Sequence, residues 1–167
     1  DGRMLQLAAT ADTWQPAGQL VLPRLFHRLV AAPGENALLA LGGASQRGHM
    51  RSIERVELAP AAASGELRID EWTLPAPSVV THRQALWIDG DTVWAFGGNR
   101  GGADRFAARE FAADVWAVDL ANGTTRRSPP QPHGRQSAAI APLDQHRVLL
   151  LGGLGPHAGG AQSLADG

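Results

Sequence analysis

The stretch His82-Arg83-Gln84-Ala85-Leu86-Trp87-Ile88-Asp89-Gly90-Asp91-Thr92-Val93-Trp94-Ala95-Phe96-Gly97-Gly98 decides how the chain is read. An apolar run (Ala85 to Ile88) enters a turn at Asp89-Gly90-Asp91, and a second run (Val93 to Phe96) ends on a glycine pair. Two runs joined by such a turn predict a β-hairpin. Four apolar residues closed by Gly-Gly are too few for a helix and predict a strand buried on both faces.

The same pattern recurs on either side. Leu38-Leu39-Ala40-Leu41 precedes Gly42-Gly43, and Val148-Leu149-Leu150-Leu151 precedes Gly152-Gly153, so the pairs repeat at 55-residue intervals. His27, His82 and Ser137 each stand fifteen residues before a pair, which aligns 27–43, 82–98 and 137–153 without a gap. A fixed period of this size marks a repeat architecture. Downstream, Ser52-Ile53-Glu54-Arg55-Val56-Glu57-Leu58 matches Asp114-Val115-Trp116-Ala117-Val118-Asp119-Leu120 and predicts a third strand. Glu71-Trp72-Thr73-Leu74-Pro75 and Thr124-Thr125-Arg126-Arg127 predict a fourth, the latter reached through the turn signal Asn122-Gly123. Four antiparallel strands per repeat are the pattern of a propeller blade.

These residues resemble kelch repeats: Pro23-Arg24-Leu25-Phe26-His27, Gly42-Gly43 and Trp72 in the first, His82, Gly97-Gly98 and Asp114-Val115-Trp116 in the second, Arg135 and Gly152-Gly153 in the third. Val56 and Val118 stand where the family pattern has Tyr, Ser137 replaces the repeat histidine, and no Arg precedes His82, so the repeats are divergent. The resemblance implies an all-β, partial kelch-type β-propeller of about three four-stranded antiparallel blades that does not close. Residues 1–22 are expected to form the tail of a preceding blade, with Met4 to Leu7, followed by Trp14, as its third and fourth strands. Residues 23–77 and 78–130 form blades, and 131–167 an incomplete blade in which Ser163 to Gly167 begins a third strand. Such an arc would be completed by further blades of a parent chain and would be poorly soluble or oligomeric alone.

Composition narrows function by exclusion. The formal net charge of −1 gives no reason to expect nucleic acid or an anionic membrane surface. No stretch has the length of apolar sequence needed for a membrane span. There are no cysteines and no tyrosines, and no spacing resembles a metal or phosphate-loop site. No cofactor and no catalytic group is expected. All fifteen basic residues are arginine, and with abundant Ala and Gly this fits a GC-rich bacterial source. Nothing fixes the compartment. Export is favoured over the cytoplasm, with any signal lying outside this stretch.

His27 and His82 read as structural, because a group recurring at one slot serves the repeat. Glu54, Glu57, Asp114 and Asp119 fall at strand positions that should face blade edges or solvent. The variable loops after the glycine pairs, residues 44–51, 99–113 and 154–162, carry Arg47, His49, Arg51, Arg100, Arg105, Arg109 and His157 against Asp104 and Glu110. The residues expected to bind are Arg47, His49, Arg100, Arg105 and Arg109, on a cationic rim facing an anionic protein or carbohydrate partner. Residues 106–111 should form a helical turn. The expected function is a non-catalytic binding or scaffold module. The alternative is part of a kelch-type enzyme, a sugar mutarotase or epimerase or a carbohydrate oxidase, whose site lies mostly outside this segment. Arg24, Arg83 or Arg135 would then be its contribution.

Overall fold

The computed structural model describes residues 2–60, 67–73, 81–102, 104–158 and 160–165. These form sixteen strands and one short 3-10 turn (Ala108–Glu110). A hairpin of β1 (Arg3–Gln6) and β2 (Gln15–Gln19) comes first. β3 (Arg28–Ala31), β4 (Ala37–Leu41), β7 (Ser52–Pro60) and β8 (Leu67–Thr73) then make a four-stranded antiparallel sheet in that order. β5 (Ala44–Ser45) and β6 (Gly48–His49) form a small hairpin between β4 and β7. A second four-stranded sheet holds β9 (Ala85–Asp89), β10 (Thr92–Phe96), β11 (Val115–Asp119) and β12 (Thr125–Ser128). Two hairpins close the described chain: β13 (Ala139–Pro142) with β14 (Val148–Leu151), and β15 (Leu154–His157) with β16 (Gly160–Ser163). The chain is thus all-β, built of several antiparallel sheets that do not close on one another. First strands of successive repeats are neighbours, β3 beside β9 and β9 beside β13.

Burial on both faces of the second strand is realised in β4. Ala37, Leu39 and Leu41 pack with Leu86, Val93, Ala95 and Val118 between the two four-stranded sheets. Ala40 and Leu38 face the other way, onto Leu20, Val56 and Met4. Side chains alternate across a strand, so one apolar run serves two cores.

The expected elements differ from the structure in three places. Two sheets are four-stranded, and the remaining sheets are hairpins. The segment 154–162 is no open loop: it carries β15 and most of β16, and Ser163 ends β16 instead of beginning a third strand beside β14. Glu54 does not face solvent but is fully buried. Leu74 and Pro75 of the expected fourth strand lie outside the described residues, although β8 runs through Trp72 to Thr73.

The gapless alignment of His27, His82 and Ser137 also fails in space. The paired strands leave loops of four, two and three residues at 33–36, 90–91 and 144–146. These differences shift everything upstream of each turn. Isolated bridges pair Leu25 with Ala44, His82 with Asn99, and Gln136 with Leu154, each time with the residue after the glycine pair. Leu25, His82 and Gln136 are therefore the true equivalents. His27 corresponds to Gln84 and Ala138.

The glycine pairs stand at these bridges. Gly97 and Gly98 have φ of 64° and 99°, and the other pairs repeat this conformation. A Cβ on Gly98 would lie 2.6 Å from Thr81 Oγ1 and 2.8 Å from the His82 carbonyl oxygen. Both the dihedral and the close backbone approach demand glycine. Gly90, in the two-residue turn, also has positive φ but open space around it. Gly98→Ala is expected to lower stability by about 2–4 kcal/mol and Gly90→Ala by only about 1 kcal/mol, from dihedral strain alone. Denaturant unfolding of the two variants checks this, and equal losses would contradict the close-packing account.

Candidate functional site

One residue before each bridge, a side chain reaches the carbonyl of the first glycine. Arg24 Nη1 donates to Gly42 O, Thr81 Oγ1 to Gly97 O, and Arg135 Nη1 to Gly152 O, each at 3.1 Å. Arg24 goes further, donating to Ser52 O at 3.0 Å and Ser52 Oγ at 2.9 Å and pairing with Glu54. Both side chains of that ion pair are wholly buried. The Glu54 carboxylate also accepts from Val21 N at 2.6 Å and Leu22 N at 3.3 Å, tying the segment after β2 to the first sheet. A buried charge persists only with its partners in place. Arg24 is thus surrounded by structural acceptors, and the Arg24 and Arg135 side chains both serve the frame.

One residue after each bridged position comes a bend with φ near +58°: Phe26 (57°), Arg83 (59°) and Ser137 (57°). They are the only non-glycine residues with positive φ among the described residues. This conformation costs a residue bearing a Cβ about 1–2 kcal/mol. A hydrogen-bond chain links the three repeats here, from Arg83 N to Phe26 O (3.2 Å) and from Ser137 N to Arg83 O (2.7 Å). The Arg83 guanidinium carbon lies 3.7 Å from the Phe26 ring centroid and 5.6 Å from that of Phe106. Burial pushes the Arg83 pKa down, partly countered by the Asp104 carboxylate. Stacking on an aromatic face suits the weakly hydrated guanidinium.

His82 is fully buried beside this bend. Its Nε2 lies 3.2 Å from Gly101 O, which makes Nε2 the protonated nitrogen, while Nδ1 is buried with no hydrogen-bond partner among the described residues. His49 stacks on it with centroids 5.3 Å apart, and His49 Nε2 is likewise buried without a hydrogen-bond partner among the described residues. The stack joins the loop after the first glycine pair to the lead-in of the second repeat.

The expected rim residues separate into three groups. His49 is committed to the His82 stack. Arg100 pairs with Asp114, which also holds Arg127, and Arg109 lies 3.4 Å from Glu110. Arg47 and Arg105 are exposed and make no ion pair among the described residues. Arg47 and His49 line a cleft of about 670 Å³ with Leu25, Ala44 and Met50. The longest loop is held from within: buried Asn99 donates to Arg105 O at 2.8 Å and accepts from Gly101 N at 2.6 Å. The 3-10 turn tucks Phe111 into the core and leaves Phe106 half-buried. Arg83, Phe26 and Phe106 are the members that sequence reasoning did not place together. The signal was present in Arg83 and Phe26 flanking their histidines, but the false register hid their equivalence.

No family model matches the chain, and no curated protein matches it. Among solved structures it is similar to YjhT, with a TM-score of 0.67 at 13% identity, over 98% of this chain and 52% of that one. At that identity the likeness speaks for the fold alone, which is propeller-like, and the chain spans about half the length of YjhT. Among the described residues, no three His, Asp or Glu side chains are grouped to hold a metal ion, and no helix is long and apolar enough to cross a membrane.

Burial holds the pKa of His82 below its ordinary 6.5, with Arg83 and His49 adding repulsion. His27 is lowered too, first by burial and then by Arg24, against a smaller opposite pull from Glu54. In the unfolded chain both titrate near 6.5, so on acidification the unfolded state takes up protons first. Their contribution is complete above pH 6.5 and is lost as the pH falls through 6.5 toward the folded values. The thermal midpoint is expected to drop between about pH 7 and about pH 5. His82→Gln, matching Gln136 at the equivalent slot, should flatten that drop; an unchanged slope in the variant would remove His82 from the explanation.

Proposed function

We propose that this chain is an arc of a divergent kelch-type β-propeller that acts as a non-catalytic binding or scaffold module. In this reading there are about three four-stranded blades, with residues 1–22 as the tail of one, 23–77 and 78–130 as complete blades, and 131–167 as a partial one. The threefold bridge beside each glycine pair and the shared bond to the first glycine's carbonyl support it. The missing strands would come from further blades of a parent chain. The partner is a protein or carbohydrate surface carrying negative charge, met by the loops at 44–51 and 99–113.

The observation that carries the reading is the division of the arginines. Those at recurring slots, Arg24 and Arg135, satisfy backbone carbonyls, while Arg47 and Arg105 in the irregular loops are exposed cations without a carboxylate partner among the described residues. Exposed cations on variable loops attract an anionic surface, and salt screens them. The enzyme alternative is weaker, because two of its three candidate residues, Arg24 and Arg135, already serve backbone carbonyls, which leaves Arg83 alone for a substrate.

Arg47→Ala with Arg105→Ala should weaken retention on carboxymethyl-dextran in low salt by about tenfold. Arg109→Ala, whose cation is already beside Glu110, should change it less than about twofold. Surface plasmon resonance at two salt concentrations measures both. Equal effects, or retention insensitive to salt, would count against these loops as the site.

A further inference from the structure

Two exposed leucines stand at slots whose counterparts in the middle of the chain are buried in one core. Leu41, just before the first glycine pair, is 3% exposed, and Leu86, four residues after the bridged His82, is 7% exposed. Both pack in the core between the two four-stranded sheets. In the same register Leu151 precedes the third glycine pair and Leu29 lies four residues after the bridged Leu25, yet these are 44% and 55% exposed. The faces around them are half-made in the same way. Leu29, Leu38 and Val56 line an open cavity of about 510 Å³, on the face of the first sheet that corresponds to Leu86, Val93 and Val118 of the second. Met4 of β1 and Leu20, just after β2, cover only part of that face. In the four-stranded sheets the second strand pairs with the third, β4 with β7 and β10 with β11. Among the described residues, β14 pairs with β13 alone and β1 with β2 alone.

We propose that these faces are the two halves of one interface, and that two copies of this chain join through them head to tail into a closed ring. Leu151 of one copy packs with Leu29 of the other as Leu41 packs with Leu86 inside a chain. β14 of one copy lies antiparallel beside β1 of the other, as β4 lies beside β7, so the hairpins β13–β14 and β1–β2 combine into one four-stranded sheet. A second copy fits because the chain carries both complementary halves, a hairpin ending in a glycine pair and an open apolar face beside a lone hairpin. A head-to-tail contact closes only if its rotation completes a full turn. The chain covers 52% of YjhT, so two copies match the length of that propeller-like structure. Closure removes open strand edges and exposed apolar faces together. This inference rests on the propeller reading above and gives the missing strands, for the chain by itself, to a second copy.

The test is sedimentation velocity on the whole chain. One species of twice the 17.6 kDa chain mass is expected, and a monomer or a larger assembly overturns the proposal. Leu29→Lys and Leu151→Glu change exposed positions, and each alone should weaken the dimer at least tenfold. Mixed in equal amounts, the two variants should form a dimer again. One junction then carries opposite charges and the other keeps both leucines, an outcome that only a head-to-tail arrangement allows. No recovery on mixing overturns it. If either variant does not fold, the Leu29→Cys, Leu151→Cys chain decides, because the protein has no cysteine of its own. A short bis-maleimide linker should join two copies of that chain and should not join copies carrying either substitution alone; equal yields overturn the proposal. The Arg47→Ala, Arg105→Ala variant should dimerise as the parent does, which separates this interface from the rim loops. A monomer that unfolds cooperatively would remove the second copy and leave the propeller reading standing.

Discussion

Everything regular in this molecule depends on how closely the second glycine of each pair approaches the backbone just before its own first strand. Gly43, Gly98 and Gly153 would each place a Cβ within 3 Å of the carbonyl of Leu25, His82 or Gln136. A side chain there would push the lead-in segment away from the end of the second strand and break the bridge that joins them. With the bridge intact, the lead-in is held one residue before the bend, and the bend is placed for the next repeat's N–H. One local contact therefore sets both the closure of each repeat and its link to the next.

Around that contact the chain solves a recurring demand with different chemistry. The carbonyl of the first glycine needs a donor, and it receives a guanidinium in the first and third repeats and a hydroxyl in the second. Buried backbone acceptors are costly to leave unpaired, so the donor matters more than its charge. Where the donor is charged and fully enclosed, as in Arg24, a second demand arises, and Glu54 meets it while fastening Val21 and Leu22. The neutral Thr81 needs no such counter-ion. Divergence among the repeats is thus tolerated at the side chain and constrained at the backbone.

Charge on the loops follows a similar logic. The arginines of the longest loop do not form a uniform cationic face. Asp114 gathers Arg100 and Arg127, Glu110 lies beside Arg109, and Asp104 acts on Arg83. Arg47, Arg51 and Arg105 stay exposed with no ion pair among the described residues, a smaller and more local positive field than the loop composition suggests. The aromatic partners of Arg83 come from different repeats, Phe26 from the first and Phe106 from the second.

The linear chain was enough to establish the repeat, its hairpins, the third strands and the turn at Asn122-Gly123, because strand burial and turn chemistry are local properties of residue type. It also located the glycine pairs, since their positive φ is costly for other residues and the close contacts of the second glycine exclude a side chain. The chain could not reveal the register between repeats. Loops of four, two and three residues happened to restore equal spacing between residues that are not equivalent, and only the paired strands exposed the shift. Nor could it reveal that Glu54 is buried, because alternation along β7 does not say which partner lies across the sheet. The Phe26–Arg83 stack and the His49–His82 stack depend on contacts between repeats more than thirty residues apart. Sequence encodes such contacts only through the packing that folding brings about.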